Sequence, residues 1–244
     1  MIPPRAILAA VNFSDSSRAA LVLAARLARH CGADLHVLHA EDPLLNEAAA
    51  AAGFDLAADT TQQLRRFVAE AWPAGESAPR LHVAAGEAVT VILDVAHRQH
   101  ADVIVVGKRD RSRAERVVFT STTDALLCRA DVSVLVTPAA WLPPDPRTLD
   151  LSGVGPLIAA VDVAGDPSAG AGSIACALAA VLGTSAEIVR VAPDRAMLSS
   201  SSMLVMCPSR SGAARAVLTN VASRVLSGAT VPVLMYITEQ FTWL

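Results

Sequence analysis

Val103-Ile104-Val105-Val106-Gly107-Lys108-Arg109-Asp110, followed after nine further residues by Thr120-Ser121, is the stretch that decides how this chain folds. Four consecutive apolar residues, bounded by a glycine, read as a strand buried on both faces. From Gly107 onward the chain has the spacing G-x2-G-x9-G-[ST] of a loop that cradles a nucleotide's phosphates on main-chain amides. Only Gly107 and Ser121 keep the expected residue type. Asp110 and Thr120 stand where glycines would let the backbone approach a polyphosphate.

Working outward, Ala6–Val11 is a short apolar run before Asn12-Phe13-Ser14-Asp15-Ser16, a polar cluster suited to a strand end and a helix cap. From Arg18 to Arg29, Leu21, Ala24, Ala25, Leu27 and Ala28 recur at helical spacing, and Gly32 supplies the stop. Leu35–Ala40 is the next expected strand. The Ala-rich stretch from Asn46 to Trp72 reads as one long helix, broken between Pro73 and Pro79. Arg80–Ala84 reads as a strand, Glu87–His100 as a helix, Ala101–Val106 as a strand, Thr122–Arg129 as a short helix and Val132–Thr137 as a last strand closed by Pro138. This alternation predicts an α/β fold with a doubly wound, open parallel sheet. Ligands in such sheets sit at the carboxyl ends of strands where the winding reverses. The ends of the first and fourth strands meet there and carry Asn12 and Gly107.

Residues 139–153 are Pro-rich and read as a linker, after which the pattern restarts. Ile158-Ala159-Ala160-Val161-Asp162 repeats Ile7-Leu8-Ala9-Ala10-Val11-Asn12. Ser168–Gly183 repeats the first helix, Ala186–Val191 the second strand, Ser202–Cys207 the fourth, Ala213–Leu226 the last helix and Val231–Ile237 the last strand. The second copy lacks counterparts of the long Ala-rich helix, the third strand and the third helix. The predicted organisation is a complete domain over 1–138, a linker over 139–153 and a truncated domain over 154–244 that packs on the first.

Of the 244 residues, 53% are hydrophobic and 18% charged, enough for a core and too few charges for a disordered chain. A net charge of −3 offers no basic field to recruit nucleic acid. No apolar run reaches the roughly 18 residues a membrane span needs. Cys31, Cys128, Cys176 and Cys207 are scattered, with no metal-ligand spacing, and suit a reducing compartment. The start, Met1-Ile2-Pro3-Pro4-Arg5, lacks the charged head and apolar stretch of a signal peptide. A cytoplasmic protein is expected.

Together these stretches resemble the universal stress protein family in its tandem form. The resemblance is carried by Ile7–Ser16, by Leu38-His39-Ala40, by Ala101–Gly107 and by Ser133-Val134-Leu135-Val136, and in the second half by Ala159–Asp162 and Val231–Leu234. It implies an adenine nucleotide alpha hydrolase-like sheet in two tandem copies. It also implies that the terminal strands of the copies, Val132–Thr137 and Val231–Ile237, pair to give an internal pseudo-dimer, with a homodimer as a further level. In nucleotide-binding members an Asp ends the first strand beside the adenine, while glycine amides and a Ser/Thr hold the phosphates. Mapped here, that pocket comprises Asn12, Ala40, Gly107, Asp110, Thr120, Ser121 and Thr122.

Asp110 adds a negative charge beside a polyanion, a repulsion on the order of 1–4 kcal/mol per charge pair near 4 Å. Only a bridging Mg²⁺ would reverse that sign. Thr120 blocks amide approach, while Ser121 and Thr122 can still cap the following helix. Asn12 keeps an acceptor oxygen but no charge. In the second half, Cys207, Arg210 and Thr219-Asn220 replace the loop signature, leaving Asp162 with no phosphate loop. The expected function is that of a non-catalytic stress-response protein acting through contacts with an unidentified protein partner, with no cofactor. The alternative is a stress sensor that binds ATP, with Mg²⁺, or AMP in the first domain, its Lys108, Arg109, Arg111, Arg113 and Arg116 holding phosphate by side chains. An enzyme is the least favoured reading, because no general base or carboxylate pair is placed near the loop. His39, at a strand end near the mapped site, reads as a packed or solvated residue.

Overall fold

The computed structural model describes residues 3–72, 77–108, 122–141, 157–161, 169–190, 203–206, 226 and 229–236. Among the described residues nine strands form one sheet in the order β3-β2-β1-β4-β5-β9-β8-β6-β7. They are β1 (Ala6–Ala10), β2 (Asp34–Glu41), β3 (Arg80–Ala85), β4 (Val103–Lys108), β5 (Ser133–Pro138), β6 (Leu157–Val161), β7 (Ala186–Arg190), β8 (Met203–Met206) and β9 (Val233–Met235). Every neighbouring pair is parallel except β5 with β9, which run antiparallel with Val134 opposite Met235, Leu135 opposite Leu234 and Val136 opposite Val233. Outward from that seam the first half runs β5-β4-β1-β2-β3 and the second runs β9-β8-β6-β7.

Helices α1 (Asp15–Cys31), α3 (Leu56–Ala71) and α6 (Ala169–Leu182) pack on one face, with α4 (Ala88–Arg98) and α5 (Thr122–Arg129) on the other. The alternation of side chains along each strand divides the core accordingly. Ile7, Val37, Val105 and Leu135 meet the α1 side, and Leu8, Leu38, Ile104 and Val134 meet the α4 side. α1 lies nearly wholly inside the molecule from Ser16 to Ala28, with only Arg18 more open. Full burial of each of Leu21, Val22 and Leu23 stabilises by about 1.5–3 kcal/mol. Asp102, buried just before β4, accepts from the backbone N–H groups of Arg5 (2.5 Å) and Ala6 (3.1 Å) and so pins the start of β1.

Where the elements are set against the sequence expectation, local chemistry explains the main features. α1 begins at Asp15, ahead of the periodic stretch from Arg18, because Ser14 of the expected cap cluster serves as N-cap and accepts from the Ser17 N–H at 3.3 Å. The expected single helix over 46–72 is two helices, α2 (Pro43–Ala51) and α3. The break is local chemistry: Gly53 takes a left-handed φ of 77°, and Asp55 caps α3 by accepting from the Ala58 N–H at 3.0 Å. The expected linker starts with structure, a 3-10 turn over Ala139–Trp141 that sets the Trp141 ring against the α1 core, 5.9 Å from the Arg26 guanidinium. The rest of that linker, Asp162, Cys207 and the greater part of the helix expected over Ala213–Leu226 lie outside the described residues.

Candidate functional site

The carboxyl ends of β1, β2 and β4 open into a cleft of about 110 Å³. It brings together Asn12, Ala40, Gly107 and Thr122, four of the seven residues mapped from sequence. Asp110, Thr120 and Ser121 lie outside the described residues. The cleft is also lined by Ser17, Leu38, Ala88, Ile92 and Thr123, which the sequence reading did not single out. Ser17 and Thr123 belong to the first turns of α1 and α5, and Ala88 begins α4. Three helices of a doubly wound sheet therefore start beside the same strand ends. The signal for them was topological, with no motif of their own.

At Gly107 β4 passes close to the first turn of α1. A Cβ placed on it would sit 2.5 Å from the Ser17 nitrogen and press on the Ser16 carbonyl group. The residue therefore has to be glycine for the helix to lie on the sheet, whatever occupies the cleft. Asn12 likewise has an internal partner. Its Oδ1 accepts from the Ser14 N–H (3.3 Å) and Oγ (2.6 Å), closing a turn that leads into α1. Between them Phe13 takes a left-handed φ of 62°, which is uncommon for a bulky residue. Its ring stacks on His39 at 4.4 Å and meets Phe67 edge-on at 5.5 Å, contacts that offset the backbone cost.

His39 is thus a packed residue, as expected. Its Nδ1 stands 2.9 Å from the Val11 carbonyl oxygen, and its ring lies on the α1 side while Ala40 lines the cleft from the other face. None of the described lining residues is ionisable.

Behind the cleft, Glu87 caps α4. Its carboxylate accepts from the N–H groups of Val89 (3.0 Å) and Thr90 (2.8 Å) and from the Thr90 hydroxyl (2.5 Å). Arg129 of α5 reaches both Glu87 (3.3 Å) and Thr90 Oγ1 (3.0 Å). The Thr90 hydroxyl above all, with the two N–H groups and Arg129, holds the Glu87 carboxyl down at about 2. Since the folded value lies below the unfolded one, the stabilisation is present above the ordinary carboxylate range and fades as pH falls toward about 2. Glu87→Ala is expected to cost about 1 kcal/mol near neutral pH, a cap's worth screened by solvent, in urea unfolding. The difference should shrink at acid pH. An equal loss at every pH would contradict the capping account.

Burial pushes the Cys31 thiol up to about 11, which makes it a poor nucleophile. Among the described residues no group of three or more His, Cys, Asp or Glu could hold a metal ion, and no helix is long and apolar enough to cross a membrane.

A parallel sheet with a cleft at the point where its winding reverses defines the doubly wound α/β class of fold. The family model described as the universal stress protein family matches residues 4–138, from before β1 to the end of β5, and the chain belongs to that family. Among solved structures, a functionally unknown protein from Pseudomonas aeruginosa is similar over 96% of this chain and 92% of its own, with 18% identity and a TM-score of 0.63. A universal stress protein from Archaeoglobus fulgidus is similar over 95% of both chains, with 14% identity and a TM-score of 0.58. At such identities the likeness is one of fold. No curated protein matches the chain.

Proposed function

We propose that this chain is a non-catalytic, cytoplasmic universal stress protein that works by contact with a protein partner and has little affinity for ATP. The observation that carries the reading is the double duty of the family signature. Gly107 is required by the packing of β4 against Ser16 and Ser17, and Asn12 is engaged with Ser14, so neither needs a ligand to account for it. In the sequence, positions 110 and 120 carry Asp and Thr where the loop spacing calls for glycine. The cleft, at about 110 Å³ among the described residues, is small beside the roughly 300–1,000 Å³ of ordinary small-molecule pockets. The lack of ionisable groups among its described lining residues speaks against acid–base chemistry there. The second half is read as a shortened copy forming an internal pseudo-dimer. That reading draws on the matching strand order on either side of the β5–β9 seam.

The sensor alternative, ATP with Mg²⁺ or AMP in the first domain, draws on the convergence of Asn12, Ala40, Gly107 and Thr122 on one cleft. Calorimetric titration of the full chain with ATP and Mg²⁺ separates the two. The expected result is a Kd weaker than about 10 µM, roughly −7 kcal/mol. Tighter binding would replace the proposal with the sensor; affinity unchanged in both Arg109→Ala and Arg111→Ala would then remove the side-chain clamp, and ATP turnover above a protein-free control would replace both readings.

A further inference from the structure

His36 of β2 and His82 of β3 stand together on the sheet face that α4 covers. Nδ1 of His36 is 3.0 Å from Nε2 of His82, and the rings lie 17° from parallel with centroids 5.2 Å apart. Such a contact needs one nitrogen to donate and the other to accept. It therefore survives a proton on one outer nitrogen but not protons on both facing ones. His36 is 2% exposed, so a charge there is poorly hydrated. Among the described residues β3 is an edge strand, hydrogen-bonded to β2. The histidine contact is thus a side-chain tie between an edge strand and its neighbour.

Among the described residues, the charged groups around the pair are few. β2 supplies Asp34 and β3 supplies Arg80, which face each other at 3.6 Å. α4 supplies Arg98, held by Asp94 at 2.5 Å. β1 places the apolar Leu8 beside His36. Burial first, then the neighbouring ring and Arg80, lower the His36 pKa, with Asp34 alone opposing. Burial first, then Arg98 and Arg80, lower that of His82.

We propose that the His36–His82 contact is a proton-operated latch that holds β3 to the sheet near neutral pH and releases it in acid. An unfolded or released histidine takes its proton near pH 6.5, while the latched rings resist theirs. The hold is therefore complete above that value and is lost as pH falls through it toward the lower folded values. Release would uncover the β2 edge, a template for pairing with another strand.

Hydrogen exchange of the full chain at about pH 7.5 and 5.5, corrected for intrinsic rates, tests this. Exchange over residues 80–85 should rise at least fivefold at the lower pH relative to residues 103–108 of β4, and His82→Gln should abolish the difference. A smaller rise in the native chain, or the same rise in His82→Gln, overturns the proposal. Should that variant fail to fold, ring signals of the native chain are followed by NMR. The two rings must titrate over the interval in which β3 exchange rises, and titration outside it rejects the latch.

Discussion

Gly107→Ala is expected to destabilise the protein by about 3 kcal/mol, the upper end of overpacking costs, and to lower its melting temperature by roughly 6–12 °C. The added methyl would meet main chain, the Ser16 carbonyl group and the Ser17 nitrogen, and not the movable tip of a side chain. Relief would require α1 to lift from β4. That helix is buried from Ser16 to Ala28 apart from Arg18, so lifting it opens the centre of the core. Gly32→Ala provides the comparison. Its φ of 65° makes an alanine strained, but nothing lies within 4 Å, so a loss of about 1 kcal/mol is expected. Urea unfolding of both variants decides the matter. If Gly107→Ala costs no more than Gly32→Ala, the close approach is not what fixes glycine at 107. Combined with tight ATP binding in the parent, that result would return Gly107 to a ligand role.

Leu234→Asp is expected to cost about 4 kcal/mol or more and to strip the second half of its structure. Leu234 is buried in β9, faces Leu135 across the antiparallel seam and belongs to the core that α1 and α6 share. A carboxylate there has no cation within the register pair and must be desolvated or protonated. Among the described residues the seam comprises three register pairs. Further ties lie on the helix side, where α6 packs with α1 and His30 Nε2 contacts the Val181 carbonyl. Leu44→Asp is the control, since Leu44 is 72% exposed on α2, and a change within about 0.5 kcal/mol is expected. Unfolding curves that place Leu234→Asp beside Leu44→Asp would show that the seam is not a structural join.

The main-chain order was legible because this fold writes it in short, local signals. Apolar runs such as Val103–Val106 mark buried strands, and the short helix expected over Thr122–Arg129 is present. The pairing of the two terminal strands, inferred from resemblance, is present as β5 with β9. The misreadings were also local. The alanines between Asn46 and Trp72 favour helix at every position, and that uniform preference hid the stop at Gly53 and the restart at Asp55.

The site was legible in part. Asn12, Ala40, Gly107 and Thr122 converge because strand ends and a helix start are fixed by topology. The histidine pair was not legible, since His36 and His82 are 46 residues apart and meet only through the register that sets Leu38 opposite His82.

By itself the sequence determined the class of fold, the order of strands and the loss of glycines at 110 and 120, since each is written in residues close along the chain. Only the tertiary structure decided why Gly107 is glycine, which face His39 takes, and that two distant histidines share a proton contact. Those depend on which backbones approach within a few ångströms, and that distance is set by packing across the sheet.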